Sequence, residues 1–227
     1  MELNIRNLWV VNIGGLEIWI TETIVNTWII MVVLIVLALI ARIRLRRFSL
    51  VPKGFQNAVE TVVEIFDNFA TDALSNSLSY IAPWFFMVFM FILSSSVFSV
   101  YGLRPPTADW ATTFALAFAT FVLMLFMGFK HRKGDYIKSF FGPHPIFFPL
   151  NLIGELAKPV SLSFRLFGNM LSGTIILAIY YQLTPWLVQI GIPAILHAFF
   201  DVIIGALQTY IFVFISLMYI RGAAADN

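Results

Sequence analysis

Long apolar runs, each closed by a cluster of basic residues, organise this chain. The first run, residues 23–41, stops at Arg42, Arg44, Arg46 and Arg47, with Lys53 after. Its length suits a transmembrane helix. Basic loops stay cytoplasmic, so residues 1–22 are expected to be an outside N-terminal segment. They carry Glu2, Glu17 and Glu22 and lack a basic stretch followed by an apolar core, so they do not read as a cleaved signal peptide. Residues 54–73 change the pattern. Phe55, Ala58, Val59, Val62, Val63, Phe66 and Phe69 recur at helical spacing, while Glu60, Glu64 and Asp67 take the other side. This predicts an amphipathic helix at the cytoplasmic interface. Its acidic stripe reads first as a solvated face, and otherwise as part of an ion route or a docking surface.

Two further spans follow at residues 80–100 and 110–129, a membrane hairpin. Pro83 suits a first helical turn. The segment 101–109 is a Pro-rich turn on the outside, and Lys130, His131, Arg132, Lys133 and Lys138 form a second basic loop. Both basic loops fall on one side, as the positive-inside rule requires. Pro143, Pro145 and Pro149 rule out one regular helix over residues 140–149. Residues 150–182 and 191–220 then read as two long helices. At 1.5 Å per residue the first reaches about 50 Å, against a hydrocarbon core of about 30 Å, so it must tilt, bend or leave the core. Thr184-Pro185-Trp186 turns the chain between them. The pattern gives four clear transbilayer passages plus the amphipathic element, with both final helices too long to stand upright.

Composition agrees. Of 227 residues, 60% are hydrophobic and only 11% charged, and the mean hydropathy is +0.89. Soluble domains carry about 25% charged residues. The fold class is therefore an all-α integral membrane protein forming one domain, with the lipid bilayer as its first partner. The net charge of +2 does not indicate nucleic acid, because the basic residues flank the spans. The absence of Cys excludes disulfides and thiolate chemistry.

The candidate chemistry lies inside the two long helices. Arg165 stands in the middle of apolar sequence. Insertion scales put an arginine at bilayer depth at about 2.5–3.5 kcal/mol, and simulations of isolated helices at about 10–17. Its charge is permanent. Asn169 shares its face one turn on. Glu155 lies ten residues earlier, about 80° around the helix. On the last helix His197 and Asp201 are one turn apart, and Gln208 falls within about 20° of Asp201. Two carboxylates at different depths around a fixed arginine suggest a proton or sodium path. Plain structural readings stand beside this. Arg165 and Asp201 can form an ion pair between helices. Lys158 can snorkel to headgroups. His197 can bond a carbonyl or Asp201, and Asn169 and Gln208 can serve as interhelical glue. His144 reads as a loop residue. No phosphate-binding Gly-rich loop, His-Glu-x-x-His or Gly-x-Ser-x-Gly occurs, so direct nucleotide binding, a cofactor and a bound metal are not expected.

The stretch KPVSLSFRLFGNM, from Lys158 to Met170, followed by LQTYIF from Leu207 to Phe212, closely resembles subunit a of F-type ATP synthases. FQNAVE at residues 55–60 and PTAD at 106–109 extend the resemblance over most of the chain. It implies a membrane stator subunit without a catalytic site of its own. Its partners would be the c-ring subunits, the b-type peripheral stalk and the rest of the F1Fo complex. Ions would enter one half-channel, neutralise a ring carboxylate, ride the rotor and leave by a second half-channel. The resemblance implies that Arg165 attracts the ring carboxylate and blocks a direct leak. Asn169 and Gln208 match its polar companions, and Glu155 a carboxylate of the cytoplasmic half-channel. Asp201 falls where relatives place a His or an acid in the outer half-channel. After Gly173, where relatives often carry an acid or His, this chain has Thr174, which leaves that role to Asp201 alone or with His197. A prokaryotic inner membrane is the expected location, with the N-terminus outside and the C-terminus cytoplasmic. Two other classes remain: a secondary transporter with an intramembrane charge relay, although no internal repeat is seen, and a structural membrane scaffold.

Overall fold

A computed structural model describes residues 7–13, 16–45, 53–74, 76–142, 144–185 and 191–225. Arg46, Arg47, Pro143 and Trp186, which figure in the expected loops, lie outside the described residues, as do Glu2 and the remainder of 1–6. The all-α membrane class holds. The departure from it is an antiparallel hairpin of β1 (Asn7–Ile13) and β2 (Leu16–Thr21) before the first helix. Its strands are rich in Val, Ile, Leu and Trp, which favour a pleated surface. The sequence Gly14-Gly15 between two such runs is the hairpin signal that the apolar-span reading passes over.

The helices are α1 (Glu22–Arg44), α2 (Phe55–Ala73), α3 (Ala82–Val100), α4 (Trp110–Arg132), α5 (Gly134–Phe140) and α6 (Phe148–Leu183). A last continuous helical stretch comprises α7 (Ile192–His197), a π-helical segment (Ala198–Ile204) and α8 (Gly205–Ala224). Among the described residues five helices are long and apolar enough to cross a bilayer. This corrects the expected four clear passages. Each of the two final helices qualifies separately.

Helices α3, α4, α6 and α8 form the body. Phe85, Ile92, Met124, Leu166, Phe212 and Leu217 are fully buried between them. Helix α1 packs mainly along α3, the turn after it and β2, and just 11% of its apolar window is buried, so it presents aliphatic surface nearly all round. Asn26 Nδ2 donates to the Arg104 carbonyl at 2.9 Å and ties α1 to the α3–α4 turn. That turn is pinned in turn by Ser95 Oγ, 3.0 Å from Thr107 Oγ1. Asp109 caps α4 by accepting from the Ala111 N–H at 3.3 Å.

Helix α2 is amphipathic, but its buried side is narrower than the expected apolar set. Phe66, Ala70 and Ala73 are buried, whereas Phe55, Val62 and Val63 stay exposed. Phe66 meets Phe86 of α3 edge-on at 5.1 Å, and Phe69 meets Tyr210 of α8 at 5.0 Å. Arg221 Nη1 donates to the Ala73 carbonyl at 3.3 Å, satisfying an orphan carbonyl at the end of α2. Glu64 and Asp67 are exposed and form no ion pair with a described residue, so the solvated-face reading fits.

Helix α6 has 36 residues, about 54 Å of helix. Pro149 sits in its first turn, while Pro159 lies inside it without ending it. Proline at 159 removes the N–H that would bond the Glu155 carbonyl. At the far side of the body, Gly205 lets the last helix approach α3. A Cβ there would lie 2.6 Å from Ser96 Cβ. Gly205→Ala is expected to destabilise the packing by about 1–3 kcal/mol. Ser96→Gly in the same chain should restore part of the loss, read as the midpoint of thermal unfolding of the purified complex.

Candidate functional site

Polar side chains within the two long helices group at three levels. At the middle level, Arg165 projects from α6 on the outer surface of the helical body and is exposed in the isolated chain. Its helix face is fixed by Leu162, Ser163 and Leu166, which are buried, with Ser163 Oγ 3.3 Å from Thr113 Oγ1 of α4. No described carboxylate lies within ion-pair distance of Arg165. The structural Arg165–Asp201 ion pair allowed by the sequence is therefore not formed. One turn on, Asn169 Nδ2 donates to Gln208 Oε1 at 2.5 Å and joins α6 to the last helix. Gln208 is buried and its Nε2 has no partner among the described residues. The glue reading of this pair and its closeness to Arg165 hold together.

At the end of α6 near the basic segments, Lys158 Nζ donates to Glu155 Oε1 at 2.6 Å and lies 5.4 Å from the centre of the Tyr219 ring. Lys158 is thus a partner of Glu155, a contact the snorkelling reading does not foresee. Glu155 Oε2 is buried without a described partner. An open cavity of about 320 Å³ adjoins this pair, lined by Ser139, Asn151, Gly154, Glu155 and Lys158 among others. Tyr136 of α5 packs behind it, with its ring 5.2 Å from that of Phe140, another residue of the cavity wall. Burial, and then the Glu155 charge, pushes the Tyr136 hydroxyl up to about 12, with Arg132 opposing, so it stays protonated at neutral pH. Its ring lies so close to Gly128 that a Cβ there would come within 2.7 Å. Tyr136 is absent from the sequence-derived candidates because it belongs to the basic loop and not to a span.

At the opposite end, His197 Nδ1 lies 2.5 Å from Asp201 Oδ2. Asp201 is buried, in a π-helical segment, a geometry frequent at functional sites. Tyr181 of α6 reaches across, its hydroxyl 3.3 Å from His197 Nε2. No helical stripe announces Tyr181. It lies about 160° around α6 from Arg165 and meets His197 only because the chain turns back. Thr174 Oγ1 donates to the Met170 carbonyl at 2.9 Å, so its proton is used within its own helix. His144 Nδ1 accepts from the Ile146 N–H at 3.5 Å, as a loop residue does.

A helical, multi-pass membrane protein with ionisable pairs at two levels and, between them, an arginine without a carboxylate partner among the described residues fits the class of ion-translocating membrane subunits. The family model described as ATP synthase A chain matches residues 24–221. ATP synthase subunit a of Moorella thermoacetica is 34% identical over 96% of this chain and 96% of that protein. The sodium ion specific ATP synthase subunit a of Propionigenium modestum is 33% identical over 91% of this chain and 75% of its own. That of Trichlorobacter lovleyi is 35% identical, with 90% and 88% covered. The chain belongs to the ATP synthase subunit a family, the Fo membrane stator subunits that take part in ion translocation within the F1Fo complex.

The amide pair makes a prediction. Asn169→Leu or Gln208→Leu alone strands a polar group, so each should cost more than its share of the double change. A double-mutant cycle on thermal stability of the complex should give a coupling of about 0.6–1.7 kcal/mol. Additive losses would contradict the contact.

Proposed function

We propose that this chain forms two offset ion half-channels against a ring of c subunits, with Arg165 between them. The observation that carries the reading is Arg165 itself, a permanent charge exposed on a helix long enough to span, with no carboxylate partner among the described residues. The two long helices also expose apolar side chains, among them Phe164 beside it in the chain, Ile203 and Leu207. A guanidinium in such a place needs an anion from outside the chain, and a ring carboxylate supplies it. Pairing is strongest where water is scarce. Arg165 then attracts each deprotonated ring carboxylate and repels a cation that would pass directly between the two routes.

The inner route runs through the cavity beside Glu155, where a carboxylate oxygen without a described partner favours a cation. The outer route runs past His197 and Asp201. The basic ends of α1 and α4 set the orientation, with the N-terminus outside, the C-terminus cytoplasmic and a prokaryotic inner membrane as the location. The exposed apolar and acidic faces of α2 suit the b-type peripheral stalk. One charge crossing 100 mV releases about 2.3 kcal/mol, so several transfers must be coupled mechanically to each ATP. A leak past Arg165 would waste them.

A guanidinium meets a carboxylate at two points, and lysine does not. Arg165→Lys, like Arg165→Ala, is therefore expected to abolish ATP-driven ion uptake by vesicles carrying the whole complex, with assembly retained by co-purification. Near-normal uptake by the lysine variant would contradict the two-point contact. Loss of assembly together with uptake would favour a structural scaffold.

A further inference from the structure

Three side chains at the outer end form a continuous hydrogen-bonded line. Tyr181 is exposed, His197 is partly covered and Asp201 is buried, so the line runs from surface to interior. Its links are Tyr181 Oη to His197 Nε2 at 3.3 Å and His197 Nδ1 to Asp201 Oδ2 at 2.5 Å. An ionised carboxylate only accepts, so Nδ1 carries the imidazole proton when Asp201 is charged. Nε2 of the neutral ring is then the acceptor, and the Tyr181 hydroxyl donates to it. Tyr181 thus holds the ring in the tautomer that points its proton at Asp201.

We propose that Tyr181 is a positioning residue of the outer route, completing a relay through His197 to Asp201 that passes protons and not sodium ions. The proposal rests on the reading of Asp201 and His197 as ion-path residues. The balance is simple. One proton arrives at Tyr181 Oη, the tyrosine's own proton moves to His197 Nε2, and the proton of Nδ1 moves to Asp201 Oδ2. Tyrosine and histidine end neutral, and Asp201 ends protonated. Reorientation of the ring and hydroxyl resets the line. A sodium ion cannot follow, because only a proton is handed along hydrogen bonds. Thr174, whose hydroxyl bonds within α6, offers no second acid at this level.

The elements packed against this turn are α3, α6 and α8. Helix α3 has no ionisable side chain. Helix α6 brings Tyr180 and Tyr181 here, with Arg165, Lys158 and Glu155 successively further away. Helix α8 adds Tyr210, then Tyr219 and Arg221, beyond Gln208. Among the described residues of these elements, the imidazole and carboxylate nearest the line are therefore its own His197 and Asp201.

The test is ATP-driven proton uptake by vesicles of the whole complex, measured from about pH 6 to about pH 8.5. Tyr181→Phe keeps the ring and removes the hydrogen bond to His197. It should lower uptake about fivefold at the alkaline end and little at the acid end, where external protons reach His197 directly. In a chain already carrying His197→Gln, Tyr181→Phe should add no further loss. Uptake equal to the parent at every pH, or losses that multiply, would overturn the relay. A control needs no variant: the parent complex should take up no radioactive sodium on ATP addition, and uptake would overturn the proton-only line. Asp201→Asn separates the two levels. If it abolishes uptake while Tyr181→Phe is silent, only the relay falls. If it pumps normally, the outer route itself is misplaced and the relay falls with it.

Discussion

A guanidinium that cannot lose its proton, set within a helix long and apolar enough to cross a bilayer and without a carboxylate partner among the described residues, is the constraint on which the rest of this structure depends. Lysine, histidine or a carboxylate in that place could escape the cost of burial by becoming neutral. Arg165 cannot. The packing of Leu162, Ser163 and Leu166 against α4 and the last helix fixes which way its helix faces. The guanidinium is thereby directed away from the chain's own core and toward whatever lies alongside.

The other charged groups of the long helices are treated differently. Glu155 pairs with Lys158, Asp201 with His197, and Arg221 with the end of α2. Glu155 keeps its second carboxylate oxygen without a described partner. Between the outer pair and Arg165, the neutral amides Asn169 and Gln208 are bonded to each other. Neutral groups can orient a passing partner and contribute no charge that would compete with Arg165. Membership of the subunit a family fits this division between one free cation and several satisfied pairs.

The spans, the Arg165–Asn169 face and the Asp201–Gln208 stripe are legible in the sequence because helical periodicity is a local property. The partners are less so. Lys158 reads as a snorkelling residue until the structure places its ammonium on Glu155. Tyr181 and His197 are sixteen residues apart, and their meeting depends on how the turn between two helices returns. Tyr136 is hidden in a loop whose charge draws the eye first. The N-terminal hairpin escapes for another reason: its apolar residues look like an approach to the first span, and strand periodicity over so few residues is weak beside it. The sequence reading of one helix over residues 150–182 runs through Pro159, and the structure likewise carries α6 past it, which removes the N–H that would bond the Glu155 carbonyl.

The central claim is that Arg165 keeps two ion routes apart, and a passive leak tests it most directly. Vesicles carrying the whole complex, with the rotor locked to the stator by a chemical cross-link, would be given a pH gradient and its decay followed. The account predicts that the parent complex holds the gradient and that Arg165→Ala lets it collapse, since the two routes then join. A variant as tight as the parent, with the rotor locked, would contradict the account and return Arg165 to a purely structural role.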